Sequence, residues 1–185
     1  MTGPIYLALL RGINVAGKNL LRMEALRSMC TDLKLSEVRT YIQSGNIVFS
    51  SITPQSQLEA LIEAGISETF SLTVPVMVRS VEQWTQSLTA CPFPVEAGSD
   101  PSRLFLLTSK RPFPPALADD LQPKARDGEV VILSKESLWI YFPSGMAKSK
   151  LTPSLIDRQA GSPCTARNWK TASALLGMLK DDNSR

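Results

Sequence analysis

Val38-Arg39-Thr40-Tyr41-Ile42-Gln43-Ser44-Gly45-Asn46-Ile47-Val48-Phe49 is the stretch whose reading decides the fold. Val38, Thr40 and Ile42 alternate with Arg39, Tyr41 and Gln43, the period of a half-buried strand. Ser44-Gly45-Asn46 is turn chemistry, because Gly and Asn tolerate the positive φ of tight turns. Ile47-Val48-Phe49 follows at once, so the two runs predict an antiparallel hairpin. A hairpin here excludes a sheet built only of parallel crossovers.

Upstream, Pro4 to Leu10 is almost continuously apolar, as expected of a strand buried on both faces. After a Gly-rich loop, Met23, Leu26, Met29, Cys30 and Leu33 recur at helical spacing, so a helix opens near Arg22 with Cys30 in its inner stripe. Downstream, Thr53-Pro54 reads as N-cap and first position of a second helix, with Leu58, Leu61, Ile62, Ile66 and Phe70 facing inward. Val74, Val76 and Val78 form a further strand, and Pro75 places it at a sheet edge, since proline cannot donate to a central ladder. Strand, helix, strand, strand, helix, strand within residues 1–80 is the ferredoxin-like unit, with its first strand central and its fourth at an edge.

Ser80 to Gln83 carries a capping-box signal, and Val81, Trp84 and Leu88 give a short helix one stripe. Residues 81–102 thus read as that helix and a Pro-, Gly- and Ser-rich linker. Residues 103–185 repeat the order: a strand at Leu104–Thr108, a short helix at Pro115–Leu121, and a hairpin of Val130–Leu133 and Leu138–Phe142. Thr152-Pro153 then opens a helix that Gly161 ends, an extended piece lies near Cys164-Thr165, and Trp169, Ala172, Leu175, Leu176 and Leu179 line a C-terminal helix. The expected fold is α+β: two tandem ferredoxin-like (βαββαβ-type) halves, the second degenerate with extra helices, with helices on one face of each sheet. Only element order supports the duplication.

The chain has 185 residues, 43% hydrophobic and 20% charged, ordinary for a globular protein. No apolar run approaches the ~18 residues of a membrane span, and the N-terminus lacks a basic n-region ahead of its apolar run. A cytoplasmic protein with no membrane partner is expected. Cys30, Cys91 and Cys164 are far apart with no C-x-x-C, so reduced, unpaired thiols and no zinc site are expected. The absence of histidine excludes Ser-His and Cys-His pairs and any His-ligated metal. Charge is uneven: residues 1–50 carry 6 basic and 3 acidic groups, residues 51–100 carry 1 and 6, and residues 144–185 carry 7 and 3. Basic ends around an acidic middle suggest convergence on an anion.

Between the first strand and helix stands Arg11-Gly12-Ile13-Asn14-Val15-Ala16-Gly17-Lys18-Asn19. Gly12 to Lys18 matches G-x-x-x-x-G-K, the phosphate-cradling pattern without its final Ser or Thr. Asn19 occupies the metal-binding position, and the hairpin gives the wrong sheet for a nucleotide triphosphatase. The plain reading is a Gly-rich turn whose polar residues cap the first helix. The functional reading is an anion-binding loop of Arg11, Gly12, Asn14, Gly17 and Lys18, completed by Lys148, Lys150 and Arg167. Gln43, Ser44 and Asn46 could also present polar groups, although the loop after strand one and the turn of the hairpin are expected at opposite ends of the sheet. Asn168 reads as the N-cap of the last helix and Trp169 as the start of its apolar stripe.

The words R-G-I-N-V-A-G-K-N (Arg11–Asn19), T-Y-I-Q-S-G-N-I-V-F (Thr40–Phe49), S-K-L (Ser149–Leu151) and T-A-R-N-W-K-T (Thr165–Thr171) resemble the DUF1697 family, bacterial proteins of unknown function. The resemblance implies an α+β fold of two ferredoxin-like halves and supplies no reaction, substrate or catalytic residue. Ala16-Gly17 departs from the family's usual Gly-Gly. The function expected is therefore binding of a phosphorylated or other anionic ligand, a nucleotide or a nucleic acid, with no cofactor. One alternative is an acylphosphatase-like hydrolase in which Arg11 grips phosphate and Asn14 or Asn46 orients water. The other is a protein-interaction module without a ligand site.

Overall fold

In the computed structural model of the chain, residues 3–15 and 17–182 are described. The first half contains β1 (Ile5–Leu10), α1 (Met23–Asp32), β2 (Ser36–Tyr41), β3 (Asn46–Ser50), α2 (Gln55–Phe70) and β4 (Val76–Ser80). Its sheet runs β2-β3-β1-β4 with every neighbour antiparallel. The central place of β1 explains its apolar sequence: Tyr6 to Leu10 are all buried. Because side chains alternate across a strand, Tyr6, Ala8 and Leu10 join the core beneath Met23, Leu26, Met29 and Cys30 of α1 and Leu58, Ile62 and Ile66 of α2. Leu7 and Leu9, on the opposite face, are equally buried.

Both edges of this sheet are blunted. On β4, Val76 N–H donates to Glu63 Oε1 at 2.9 Å and Val78 N–H to Glu59 Oε1 at 3.0 Å. The carboxylates of α2 thus occupy edge donors that would otherwise invite another strand. Pro75 lies just before β4 rather than inside it, and its carbonyl accepts Arg11 N–H at 3.0 Å. On β2 the register shifts between Ser36 and Arg39, and Glu37 has φ +51, a bulge that interrupts the edge. One local expectation shifts: the N-cap of α2 is Pro54, not Thr53. Thr53 N–H is bonded instead to Ser51 Oγ at 3.0 Å, which keeps Thr53 outside the helix.

The second half carries β5 (Leu104–Ser109), α5 (Leu117–Leu121), β6 (Val130–Ser134), β7 (Ser137–Tyr141), α6 (Pro153–Ala160) and β8 (Cys164–Asn168). Its sheet order, β6-β7-β5-β8, copies the first. The repeat reaches single residues. Thr-Pro stands at the start of the second helix of each half, with Pro54 as the N-cap in the first and Thr152 as the N-cap in the second, and proline precedes each fourth strand, at Pro75 and Pro163. Each fourth strand also ends in a residue that caps the next helix, α3 (Val81–Thr89) or α7 (Trp169–Asp182). Ser80 and Gln83 form the reciprocal capping box at 2.9 and 3.2 Å, while Asn168 Oδ1 accepts Thr171 N–H at 2.9 Å. The helix after the fourth strand is therefore part of the repeat in both halves. The second half departs from the first in the short α5, in α4 (Pro94–Ser99), which precedes β5, and in two 3-10 turns, Gln122–Lys124 and Met146–Lys148.

By contacts the chain forms two compact units, one of the described residues up to Trp84 and from Leu175 onward, the other Thr85–Ala174. No helix of the described residues is long and apolar enough to cross a membrane. None of the three cysteines, all described, forms a disulfide; Cys30 and Cys164 are buried and Cys91 is partly exposed. Burial penalises the thiolate and pushes Cys30 up to about 12, with a smaller rise at Cys91 from the same cause. Thiol labelling of the native protein at pH 8 should therefore modify Cys91 first and leave Cys30 unmodified until the chain unfolds. Three thiols should then react without reductant. Rapid native labelling of Cys30 would contradict the packing of α1.

Candidate functional site

Because β1 is antiparallel to both β3 and β4, the end of β1 and the starts of its two neighbours share one end of the sheet. The expectation that the β1–α1 loop and the β2–β3 turn lie at opposite ends is thereby corrected. The chains are bonded together there. Leu10 N–H donates to Gly45 O at 2.8 Å and Arg11 N–H to Pro75 O. Asn14, at φ +53, donates through Nδ2 to Gln43 O at 2.8 Å and to Leu21 O at 2.9 Å. Its Oδ1 accepts Leu21 N–H at 2.8 Å. One amide thus closes the base of the β1–α1 loop and fastens it to the hairpin.

Above this base the loop folds back as a small finger. Asn14 N–H reaches Asn19 O at 3.2 Å, and Lys18 N–H reaches Val15 O at 2.9 Å. Asn19, at φ +47, donates from Nδ2 to Gly12 O at 3.0 Å. Ala16, inside the motif, lies outside the described residues. Ile13 and Leu21 are buried and root the finger in the core. Gly45 is required beneath it on two grounds. It has φ +74, and a Cβ there would lie 2.6 Å from Leu10 Cβ and 2.7 Å from Ile13 Cδ1. Ile42, in the same turn, sits at φ +48. A β-branched residue there is strained and is held by its surroundings.

Of the residues expected to bind a ligand, Arg11, Gly12, Asn14, Gly17 and Lys18 come together in this finger and its base. Gly12, Gly17 and Lys18 are exposed, and Arg11 is half-buried. Lys148, Lys150 and Arg167 belong to the second unit. Lys148 closes a 3-10 turn, Met146–Lys148, and both lysines are exposed. Arg167 lies in β8, 7% exposed, where its Nη1 donates to Thr165 Oγ1 and to Ala166 O, each at 2.8 Å. Burial lowers its guanidinium to about 10.

One group escaped the sequence reading. Ser149, between the two lysines, is buried and donates to the buried Glu129, while its Oγ accepts Leu151 N–H at 3.0 Å. The same carboxylate accepts Arg126 N–H at 3.0 Å and Asp127 N–H at 2.8 Å. Burial opposes the charge on Glu129, but the hydroxyl and backbone donors outweigh it and hold the carboxyl below its usual range. No sequence signal links residues twenty apart across a hairpin. Here the S-K-L word is a lock that seats Leu151 in the core. Among the described residues no group of three or more His, Cys, Asp or Glu side chains is placed to hold a metal.

The model of a family described as proteins of unknown function, DUF1697, matches residues 4–139. The chain belongs to the DUF1697 family. The matched span includes the finger, the hairpin and the capping box, so the clamped end of the first sheet lies wholly within DUF1697 sequence. A similar solved structure is that of a conserved bacterial protein from Streptococcus pneumoniae, 27% identical, covering 96% of this chain and 98% of that one, with a TM-score of 0.73. No curated protein matches.

Asn14→Ala removes three hydrogen bonds and strands the backbone of the buried Leu21, so unfolding free energy should fall by about 2–4 kcal/mol in denaturant titration. Gly45→Ala should cost about 2 kcal/mol or more through strain and overlap. An Asn14→Ala protein of wild-type stability would show that the amide is not the clamp.

Proposed function

We propose that the finger binds an anionic group, with phosphate the best match. The observation that carries this reading is the clamp. Arg11 is held through its own N–H by Pro75, and the loop it opens is closed by the Asn14 amide. A cation on a fixed backbone loses less freedom on binding than one on a loose loop. The segment from Arg11 to Arg22 carries Arg11, Lys18 and Arg22 and no acidic residue. Arginine's planar fork suits two oxygens of one phosphate, and Lys18 adds charge without demanding geometry. Gly12 and Gly17 let a ligand approach the backbone closely. The reading is confined to the first unit, and Lys148, Lys150 and Arg167 are not required by it.

The hydrolase alternative needs an asparagine to orient water. Both of its candidates are engaged elsewhere. Asn14 spends its amide on Leu21 and Gln43. Asn46 is fully buried and donates to Tyr41 O at 3.0 Å and Ser44 Oγ at 2.9 Å. Binding is therefore the better-supported class.

Phosphate, pyrophosphate or a mononucleotide should raise the thermal midpoint of the wild type. Arg11→Ala should weaken that binding by about 1.5–3 kcal/mol, the scale of a charge-assisted hydrogen bond, with each protein's shift read against its own ligand-free midpoint. Lys150→Ala should respond as the wild type does. If no anion raises the wild-type midpoint, or Arg11→Ala responds equally, the finger is a structural loop.

A further inference from the structure

The apolar side chains around the finger add a second property to the anion reading, on which the following inference rests. Val15 is 59% exposed and Leu20 is 75% exposed, and Ile42 of the neighbouring turn is 51% exposed. Three of the six most exposed large hydrophobic side chains of the described residues therefore sit at one end of one sheet. The backbones beside two of them, Leu20 and Ile42, come close together. Asn14 Nδ2 donates to both Leu21 O and Gln43 O, so the residues next to Leu20 and Ile42 bracket a single nitrogen.

These side chains stay in water although their backbones are fixed, and Ile42 does so in a strained conformation. Such clustered exposure marks a surface meant to be covered. Val15 and residues 17–20 are all exposed, so the finger projects. Small ligands are held in concavities, and a projection suits an extended surface. Residues 11–22 carry three basic side chains and no carboxylate of their own, so the surface that complements the finger is anionic. Single-stranded nucleic acid is gripped by stacking bases on aromatic rings, and residues 11–22 contain none, while Tyr41 beside the turn is half-buried. Branched aliphatics beside lysine and arginine instead match the acyl and headgroup layers of a bilayer.

We propose that the finger and the adjoining turn dock this protein on the surface of an anionic phospholipid bilayer. Val15, Leu20 and Ile42 enter the interfacial layer while Arg11, Lys18 and Arg22 meet lipid phosphates. The lack of a membrane-crossing helix among the described residues does not bear on surface docking. Three aliphatic side chains and three cations make the attachment weak, reversible and salt-dependent.

The test is co-sedimentation of the full chain with vesicles of phosphatidylglycerol and phosphatidylcholine in equal parts, or of phosphatidylcholine alone. Wild type should bind the mixed vesicles, with at least tenfold weaker binding to the neutral ones and at high salt. Leu20→Asp should lose at least tenfold. Ile52→Asp alters an 81% exposed side chain beyond the far end of β3 and should bind as wild type. Equal loss in the two variants, or no binding to the mixed vesicles, would overturn docking. Pyrophosphate stabilisation is measured on the same samples. If it depends on Arg11 while vesicles are ignored, docking falls and the anion site stands; if neither is seen, both fall. Binding to an oligonucleotide but not to vesicles would also overturn docking, in favour of nucleic acid.

Discussion

The side-chain amide of Asn14 is the contact on which this end of the molecule depends. Three backbone segments reach the end of the first sheet: the loop after β1, the turn between β2 and β3, and the approach to β4. Main-chain bonds from Leu10 to Gly45 and from Arg11 to Pro75 bring them level. Asn14 joins the far side of the loop to the turn, through Leu21 and Gln43. Those carbonyls and the Leu21 N–H would otherwise need other partners, and Leu21 is nearly inaccessible to solvent. The left-handed backbone at Asn14, Asn19 and Gly45 is the geometric counterpart of that closure. Asparagine and glycine are the residues that adopt it at least cost.

The two halves solve the same folding problem with the same devices. Each puts its first strand in the middle, carries Thr-Pro at the start of its second helix, sets a proline before its edge strand and caps the following helix from that strand's last residue. They differ in what they leave at the end of the first strand. The first half has a ten-residue α1 and a finger with exposed aliphatics and cations. The second has a five-residue α5, and its conspicuous polar device is the internal lock of Glu129 on Ser149 and the backbone of Arg126 and Asp127. That contrast is why the proposed anion site is assigned to the first half.

Much of the fold was legible because it is written in local chemistry. Alternation in Val38–Gln43, the run from Pro4 to Leu10, the Ser80-Gln83 box and the Thr152-Pro153 start each act within a few residues. The finger's rigidity was not legible, because Asn14 and Gln43 are 29 positions apart and meet only once the antiparallel order is fixed. That same order reverses the expectation about which loops share an end. Arg167 read as a ligand-binding cation because it stands in a basic word just ahead of the last helix. Its place in β8 became visible only through the pairing of Leu106 with Arg167. Likewise Ser149 looked incidental between two lysines until Glu129 came within reach. The sequence alone had no means of pairing residues that only the folded sheet brings together.

The central claim is that a clamped, cationic finger on the first sheet is where an anion meets this protein. The most direct measurement is an amide-resolved NMR titration with pyrophosphate. The account predicts shifts concentrated at residues 11–22 and 43–45, with the same titration of an Asn14→Ala protein giving weaker and more scattered changes. Larger shifts at Lys148 to Lys150 than at the finger, or none anywhere, would contradict it.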